Sequence, residues 1–170
     1  MKKTARGFTL FELAIVAMLT SILLATLLTR VLFYQEQAEK AAVKQVAGGL
    51  QSALILQHGR LLTHGAANKL RALSTENPMQ WLTKPPHNYV GEFYGITSQT
   101  IAPGNWAFDL QSRQLVYAVA HRDYFTPKTQ DDYLIRYQIN IEQHSAIKTT
   151  ANSRASSIAF SPVKSYQWFD

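Results

Sequence analysis

The sequence predicts an α+β chain. One long N-terminal helix, membrane-spanning in its first half and amphipathic in its second, packs on a C-terminal antiparallel β-sheet. Three observations carry this. The run from Leu13 to Thr29 holds no charged residue. No proline occurs between Phe8 and Asn77, and no glycine between Phe8 and Ala47. Beyond Asn105, apolar and polar residues alternate in short stretches separated by turn residues, the period of two that half-buried strands require.

The N-terminal element comes first. Leu13 to Thr29 at about 1.5 Å per residue gives roughly 26 Å, near the lower limit for a spanning helix, and Phe8 to Phe11 extend it. Lys2, Lys3 and Arg6 precede the run and account for half of the formal net charge of +6. Basic residues ahead of a span keep that end in the cytoplasm. A cleaved secretory signal shares the basic start, but its apolar region is about 7–15 residues long and ends in small residues. Here the run is longer and leads into LLTRVLFYQ, so a retained anchor is expected. Glu12 is the anomaly. A carboxylate in a bilayer core costs about 2.5–3.5 kcal/mol on insertion scales and is ordinarily paired or functional.

The helix outruns the membrane. RVLFYQEQAEKAAVKQVAGGLQSALILQHG is rich in good helix formers. Glu36 and Lys40 stand in the favourable acid-first order four apart. Val43, Val46, Leu50 and Leu54 form one apolar stripe. His58-Gly59 reads as the end, with Gly supplying the left-handed residue, so the helix is expected from Phe8 to about Gln57. Gly48-Gly49 is its weak point, costing about 1 kcal/mol per glycine relative to alanine.

The head follows. GAANKLRALS reads as a short helix, and NPMQWLTKPPHNYVGE as a loop marked by Pro78, Pro85 and Pro86. In NWAFDL, Trp106, Phe108 and Leu110 share a face. QSR turns the chain, and QLVYAVAH returns with Leu115, Tyr117 and Val119 together. In DDYLIRYQINIE, Ile135, Tyr137, Ile139 and Ile141 face one way and Arg136, Gln138, Asn140 and Glu142 the other. Ser157 to Ser161 reads as a further strand. The pattern predicts a sheet with one wet face and one dry face, the dry face covered by the helical stripe. Composition agrees: hydrophobic residues make up 46% and charged residues 16%, enough for a packed core. Cysteine is absent, which excludes disulfides, thiolate zinc sites and a cysteine nucleophile.

The stretch Gly7-Phe8-Thr9-Leu10-Phe11-Glu12, after a basic leader and before an apolar helix, resembles the processing site of type IV prepilins and type II secretion pseudopilins. The resemblance implies a pilin-like fold and cleavage by prepilin peptidase between Gly7 and Phe8, with N-methylation of Phe8. Glu12 then becomes the fifth residue, an assembly residue pairing with the terminal amine of a neighbouring subunit. The implied organisation is a leader over 1–7, a transmembrane and assembly helix over 8–30, an amphipathic helical half over 31–63 and a β-sheet head over 64–170. The implied partners are other pilin or pseudopilin subunits, prepilin peptidase, the inner-membrane assembly platform and, before assembly, the lipid bilayer. The implied location is a single pass of the inner membrane with a periplasmic head, then an extracellular filament. PPHNYVGEFYG with PGNWAFDLQSRQLVYAV further resembles minor pilins of the mannose-sensitive haemagglutinin pilus system. The anchor lacks the kinking proline, and the head the disulfide, of many major pilins. Both departures favour a minor pilin or pseudopilin.

Two other functional classes compete with this resemblance. An anchored enzyme would need a reactive constellation. The histidines His58, His64, His87, His121 and His144 form no H-x-x-x-H pair, and no G-x-S-x-G or phosphate-cradling loop occurs. Asp131-Asp132 fits an exposed turn better than a metal. No catalytic residue, metal or cofactor is expected. A ligand- or DNA-binding head is the other rival. Arg113, Arg122, Lys128, Arg136, Lys148, Arg154 and Lys164 are dispersed rather than gathered into a stripe, so nucleic acid is not an expected partner. Trp106, Phe108, Tyr117, Tyr133 and Tyr137 fit core and cross-strand packing better than base stacking.

Overall fold

The computed structural model describes residues 9–127, 133–143 and 156–169. The chain divides into two units, Met1–Ala38 and Glu39–Asp170, and helix α1 (Leu10–Thr63) contributes to both. The α+β class is the one expected: a long apolar N-terminal helix followed by a mostly antiparallel sheet.

Helix α1 passes through His58-Gly59, where the sequence pattern placed its end, and continues to Thr63. The stop lies at the next glycine. Gly65 adopts φ +65°, its N–H donates to the Leu62 carbonyl at 3.1 Å, and the Ala66 N–H donates to the Leu61 carbonyl at 2.8 Å. These two bonds satisfy carbonyls that the last turn would otherwise leave open. A side chain at that position would resist the left-handed backbone. The expected stop chemistry is present, one glycine further on.

After α1 come a 3₁₀ turn (Ala67–Lys69) and the one-turn helix α2 (Leu70–Leu73), matching the short helix expected there. A second 3₁₀ turn (Pro78–Trp81) is started by Asn77, whose side chain accepts from the Met79 N–H. The stretch that reads as loop then becomes strand β1 (Tyr89–Phe93). Pro85 and Pro86 mask it, because the punctuation lies directly ahead of the strand. The remaining strands are β2 (Trp106–Asp109), β3 (Gln114–Ala118), β4 (Phe125–Thr126), β5 (Leu134–Gln143), β6 (Ser156–Pro162) and β7 (Gln167–Trp168). The main sheet has the order β1-β2-β3-β5-β6, and β4 pairs with β7 separately. Asp131-Asp132 and His144 lie outside the described residues.

Strand β1 runs parallel to β2, where the sequence pattern implied antiparallel pairing throughout. Parallel neighbours need a crossover of about a dozen residues. Residues 94–105 provide it, and the crossover lays Ile96 and Ile101 on Ala107, Val116 and Ala118. All five are buried. The sheet's second face is therefore dry at its centre, against the expectation of one wet face. Alternation alone cannot reveal this, because Ala107 and Ala118 are small enough to read as solvent-facing.

The first face is covered as expected. Val43, Leu50 and Leu54 of α1 are each at most 1% exposed, with Val46 packed beside them. Val43 and Leu50 join Trp106, Phe108, Leu115, Tyr117, Ile135 and Tyr137 in one core. The Trp106 ring lies 4.8 Å from Tyr117 and 5.8 Å from Tyr137, and Tyr137 stacks on Phe160 at 5.1 Å. Tyr117 and Tyr137 are core residues, as the pattern of two indicated.

Candidate functional site

Within the first unit, the described part of α1 begins one residue after Thr9. The Thr9 N–H donates to Glu12 Oε2 at 3.2 Å, and the Thr9 hydroxyl donates to the same oxygen at 3.3 Å. In return, the Glu12 N–H donates to Thr9 Oγ1 at 3.2 Å. This reciprocal arrangement is a capping box. It satisfies N–H groups that have no intrahelical partner and sets a carboxylate near the positive end of the helix dipole. Thr9 thus joins Glu12 as a site residue. The T-x-x-E spacing ahead of an apolar run signals the box in the sequence. Gly7 and Phe8, like Lys2, Lys3 and Arg6, lie outside the described residues.

Beyond Glu12, the helix is long and apolar enough to cross a membrane. Among the described residues, none of its most apolar window is buried. Leu10 is 86% exposed and Phe11 74%. Exposed apolar patches of that extent mark surfaces that interact with membranes or with other proteins. The hydroxyls of this apolar segment are already satisfied inside the helix. Thr20 donates to the Val16 carbonyl at 2.8 Å, Ser21 to Ala17 at 2.7 Å, Thr26 to Leu23 at 2.9 Å and Thr29 to Thr26 at 2.9 Å. Such back-bonding lets polar side chains enter a medium that offers no hydrogen bonds.

Within the second unit, two carboxylates organise the head. Glu39 lies on α1, four residues before Val43 and on its buried face. Glu39 Oε1 accepts from the Tyr117 hydroxyl at 2.8 Å and the Ala120 N–H at 2.7 Å. Glu39 Oε2 accepts from the His121 N–H at 2.9 Å and sits 2.6 Å from His121 Nδ1. Burial, then the bond from Tyr117 to Glu39 and the charge behind it, push the Tyr117 hydroxyl's pKa up. The acid within the apolar stripe was the available signal for this hub.

Asp109, at the end of β2, accepts from Gly95 N–H at 3.0 Å, Gln111 N–H at 2.9 Å and the Ser112 hydroxyl at 2.8 Å. Ile96 N–H and Arg136 Nη1 approach its second oxygen more distantly, at 3.4 and 3.5 Å. Arg136 also donates to the Ile96 carbonyl at 2.7 Å. Burial works against ionisation of Asp109, but the bonds from Ser112, Gln111, Gly95 and Ile96 together hold its pKa below the ordinary value. Glycine is favoured at 95 because its φ is +73°, in the left-handed region; an added Cβ would also displace the end of the Gln111 side chain, whose Oε1 lies 2.9 Å away.

Some of the dispersed cations have internal partners. Arg136 is tied to the crossover, and Arg122 lies 4.2 Å above the Tyr133 ring. Lys40 donates to the Trp168 carbonyl and lies 5.5 Å from the Phe169 ring centre. Lys128, Lys148 and Arg154 fall outside the described residues. Among the described residues, no group of three or more His, Asp or Glu side chains is placed to hold a metal ion. Compared with models of protein families, with curated proteins and with solved structures, the chain finds no match.

Proposed function

We propose that the chain is a minor subunit of a type IV pilus or secretion pseudopilus. In this reading prepilin peptidase removes residues 1–7 and methylates Phe8. The inner membrane holds the subunit until it is assembled, head outward, through α1. The observation that carries the reading is an apolar helix left uncovered among the described residues, a single carboxylate at its start and a folded head after it in the chain.

The chemistry is one of register. Among bundled helices, an unpaired carboxylate carries the cost of a buried ion, and a neighbour's terminal amine removes it. Cleavage after Gly7 generates that amine at Phe8. The capping box is compatible with this role. It gathers its bonds on one carboxylate oxygen, and a carboxylate has a second oxygen able to accept from an added donor. Cleavage also leaves Thr9 in place as the second residue.

The test is the N-terminal mass of the protein produced in membranes with prepilin peptidase. The expected product begins with methylated Phe8; a chain that keeps its leader or starts elsewhere overturns the reading. Gly7→Leu should retain the leader. Glu12→Ala should be processed normally but fail to enter filaments. Thr9→Val removes the capping hydroxyl, costs about 1 kcal/mol of helix stability and should leave assembly intact. Normal assembly of Glu12→Ala, or equal loss in both variants, would reduce Glu12 to a helix cap.

A further inference from the structure

Residues 166–169 are held to the head by side chains more than by backbone. Strand β7 makes two register pairs with β4, Phe125 with Trp168 and Thr126 with Gln167, in a sheet separate from the main one. A two-stranded ribbon of that length has little stability of its own. Aromatic contacts supply the rest. Trp168 is buried and meets the Phe125 ring edge-on at 5.3 Å, and the Tyr166 hydroxyl lies 3.0 Å from that of Tyr137. Lys40 of α1 donates to the Trp168 carbonyl, so the segment is also fastened to the helix. Residues 163–165, which join it to β6, are exposed.

A second observation is the backbone of Phe169. Among the described residues, Arg113 and Phe169 are the non-glycine residues with positive φ, at +55° and +64°. Arg113 lies in the turn between β2 and β3, where such a conformation is ordinary. Phe169 follows β7 with no turn at its position. The left-handed region crowds a Cβ, and a bulky residue there is an outlier. Such strain persists only where the surroundings hold it, and it gathers at switching segments. Here the Phe169 N–H donates to the Tyr124 carbonyl at 3.2 Å, and its ring stacks on Tyr124 at 4.9 Å. Lys40 Nζ lies 5.5 Å from the centre of the same ring. Tyr124 is itself exposed, so this hold sits at the surface of the head.

From these observations we infer that residues 166–169 form a releasable strap with Phe169 as its strained catch. When the catch leaves Tyr124 its backbone relaxes, and the strap swings out on residues 163–165 while the five-stranded sheet stays folded. Release uncovers Phe125 and the seat of Trp168 and frees the Lys40 ammonium. The head thus has a closed form and an open form, and the open form presents an aromatic surface that the closed form hides. The inference needs neither cleavage nor filament assembly.

The test is hydrogen exchange of the full chain in lipid nanodiscs, read by mass spectrometry over a range of urea below the unfolding midpoint. Residues 167–169 should exchange through an opening at least tenfold more frequent than that of β5 and nearly independent of urea, the mark of a local event. Phe169→Ala loses the ring and keeps the strain, so its strap should open about tenfold more often. Phe169→Gly loses both and should fall between that variant and the unaltered chain. Lys40→Met should raise opening about fivefold with exchange of β5 unchanged. Exchange of 167–169 in step with β5, with the same urea dependence, overturns the inference. So does a Phe169→Gly strap no more open than the unaltered one, which would deny the ring its hold. A Phe169→Gly strap as open as Phe169→Ala, or more so, would deny the stored strain and overturn it equally.

Discussion

Replacing Glu39 with alanine removes the acceptor for four donors at once, and the structure sets the size of the effect. Bonds to a charged acceptor are worth about 1.5–3 kcal/mol each, but a donor that reaches water recovers most of this. Ala120 is exposed, and the His121 side chain is 43% exposed, so their N–H groups rehydrate. Tyr117 is 3% exposed, and its hydroxyl would be stranded. An unsatisfied buried hydroxyl costs about 1–3 kcal/mol. With the lost tether of residues 120 and 121, Glu39→Ala should cost about 3 kcal/mol. Tyr117→Phe alone should cost about 1 kcal/mol, since Glu39 keeps its other donors. The double variant should be less destabilised than the two single effects added, because phenylalanine leaves no hydroxyl to strand. Guanidinium unfolding of the chain in detergent, followed by the fluorescence of buried Trp106 and Trp168, measures all three. A Glu39→Ala effect below about 0.5 kcal/mol, or strict additivity, would refute the argument; both are smaller than the desolvation cost it rests on.

Other consequences are tested in the same way. The pKa of Asp109 is depressed in the fold, so its contribution is complete above the unfolded value near 3.9 and disappears as pH falls through the folded value. Asp109→Asn should therefore flatten the acid limb of stability against pH while lowering the plateau at neutral pH. Tyr117 and Tyr137 are shifted the other way, Tyr137 by burial and then by its bond with Tyr166. Their contribution is complete below about pH 10 and lost as pH rises further, so Tyr137→Phe should soften the alkaline limb. Leu54→Ala empties a fully buried position between Leu70, Leu73 and Ile139 and should cost about 2–5 kcal/mol. Gly65→Ala forces a side chain into the left-handed stop of α1 and should lower thermal stability by about 1 kcal/mol.

Strong periodicity made much of the fold legible in the sequence. The stripe Val43, Val46, Leu50 and Leu54 and the alternation of Ile135, Tyr137 and Ile139 both report a single buried face, and both faces are where the spacing put them. Periodicity failed where long-range pairing decides. Strand β1 contains Gly91 at φ +108° and an irregular register with β2, so no clean alternation marks it. The two-residue strands β4 and β7 are too short to carry a period. The crossover's cover over Ala107 and Ala118 depends on which strands adjoin, and local sequence does not encode that. At the candidate site, the cost of Glu12 in an apolar setting is legible in the sequence; the T-x-x-E spacing that makes Thr9 its capping partner is legible too, but it says nothing of cost and so stands out less. Glu39 was readable in principle as an acid on a buried stripe. Asp109 was not, since a carboxylate ahead of a turn looks solvated until the crossover returns to it.

Chains of this composition can associate through open sheet edges or through uncovered apolar helices, and the two edges of the main sheet are not equivalent to the helix. At the β6 edge, Gln51 of α1 occupies the place of a neighbouring strand: its side-chain oxygen accepts from the Phe160 N–H at 2.6 Å, and its amide donates weakly to the Ile158 carbonyl at 3.4 Å. Pro162 ends the same strand with no N–H to offer. The β1 edge is short and irregular, with Gly91 and Glu92 within it. Features of this kind discourage edge-to-edge pairing. The contiguous exposed apolar surface lies instead along Leu10–Leu32 of α1. Removing the seal by Gln51→Ala should therefore promote aggregation of the head through β6 without restoring assembly to a chain whose helix has been impaired. Sheet edges that are sealed or irregular and a helix that is apolar and exposed are thus two separate routes of association, and a substitution at Gln51 acts on the first alone.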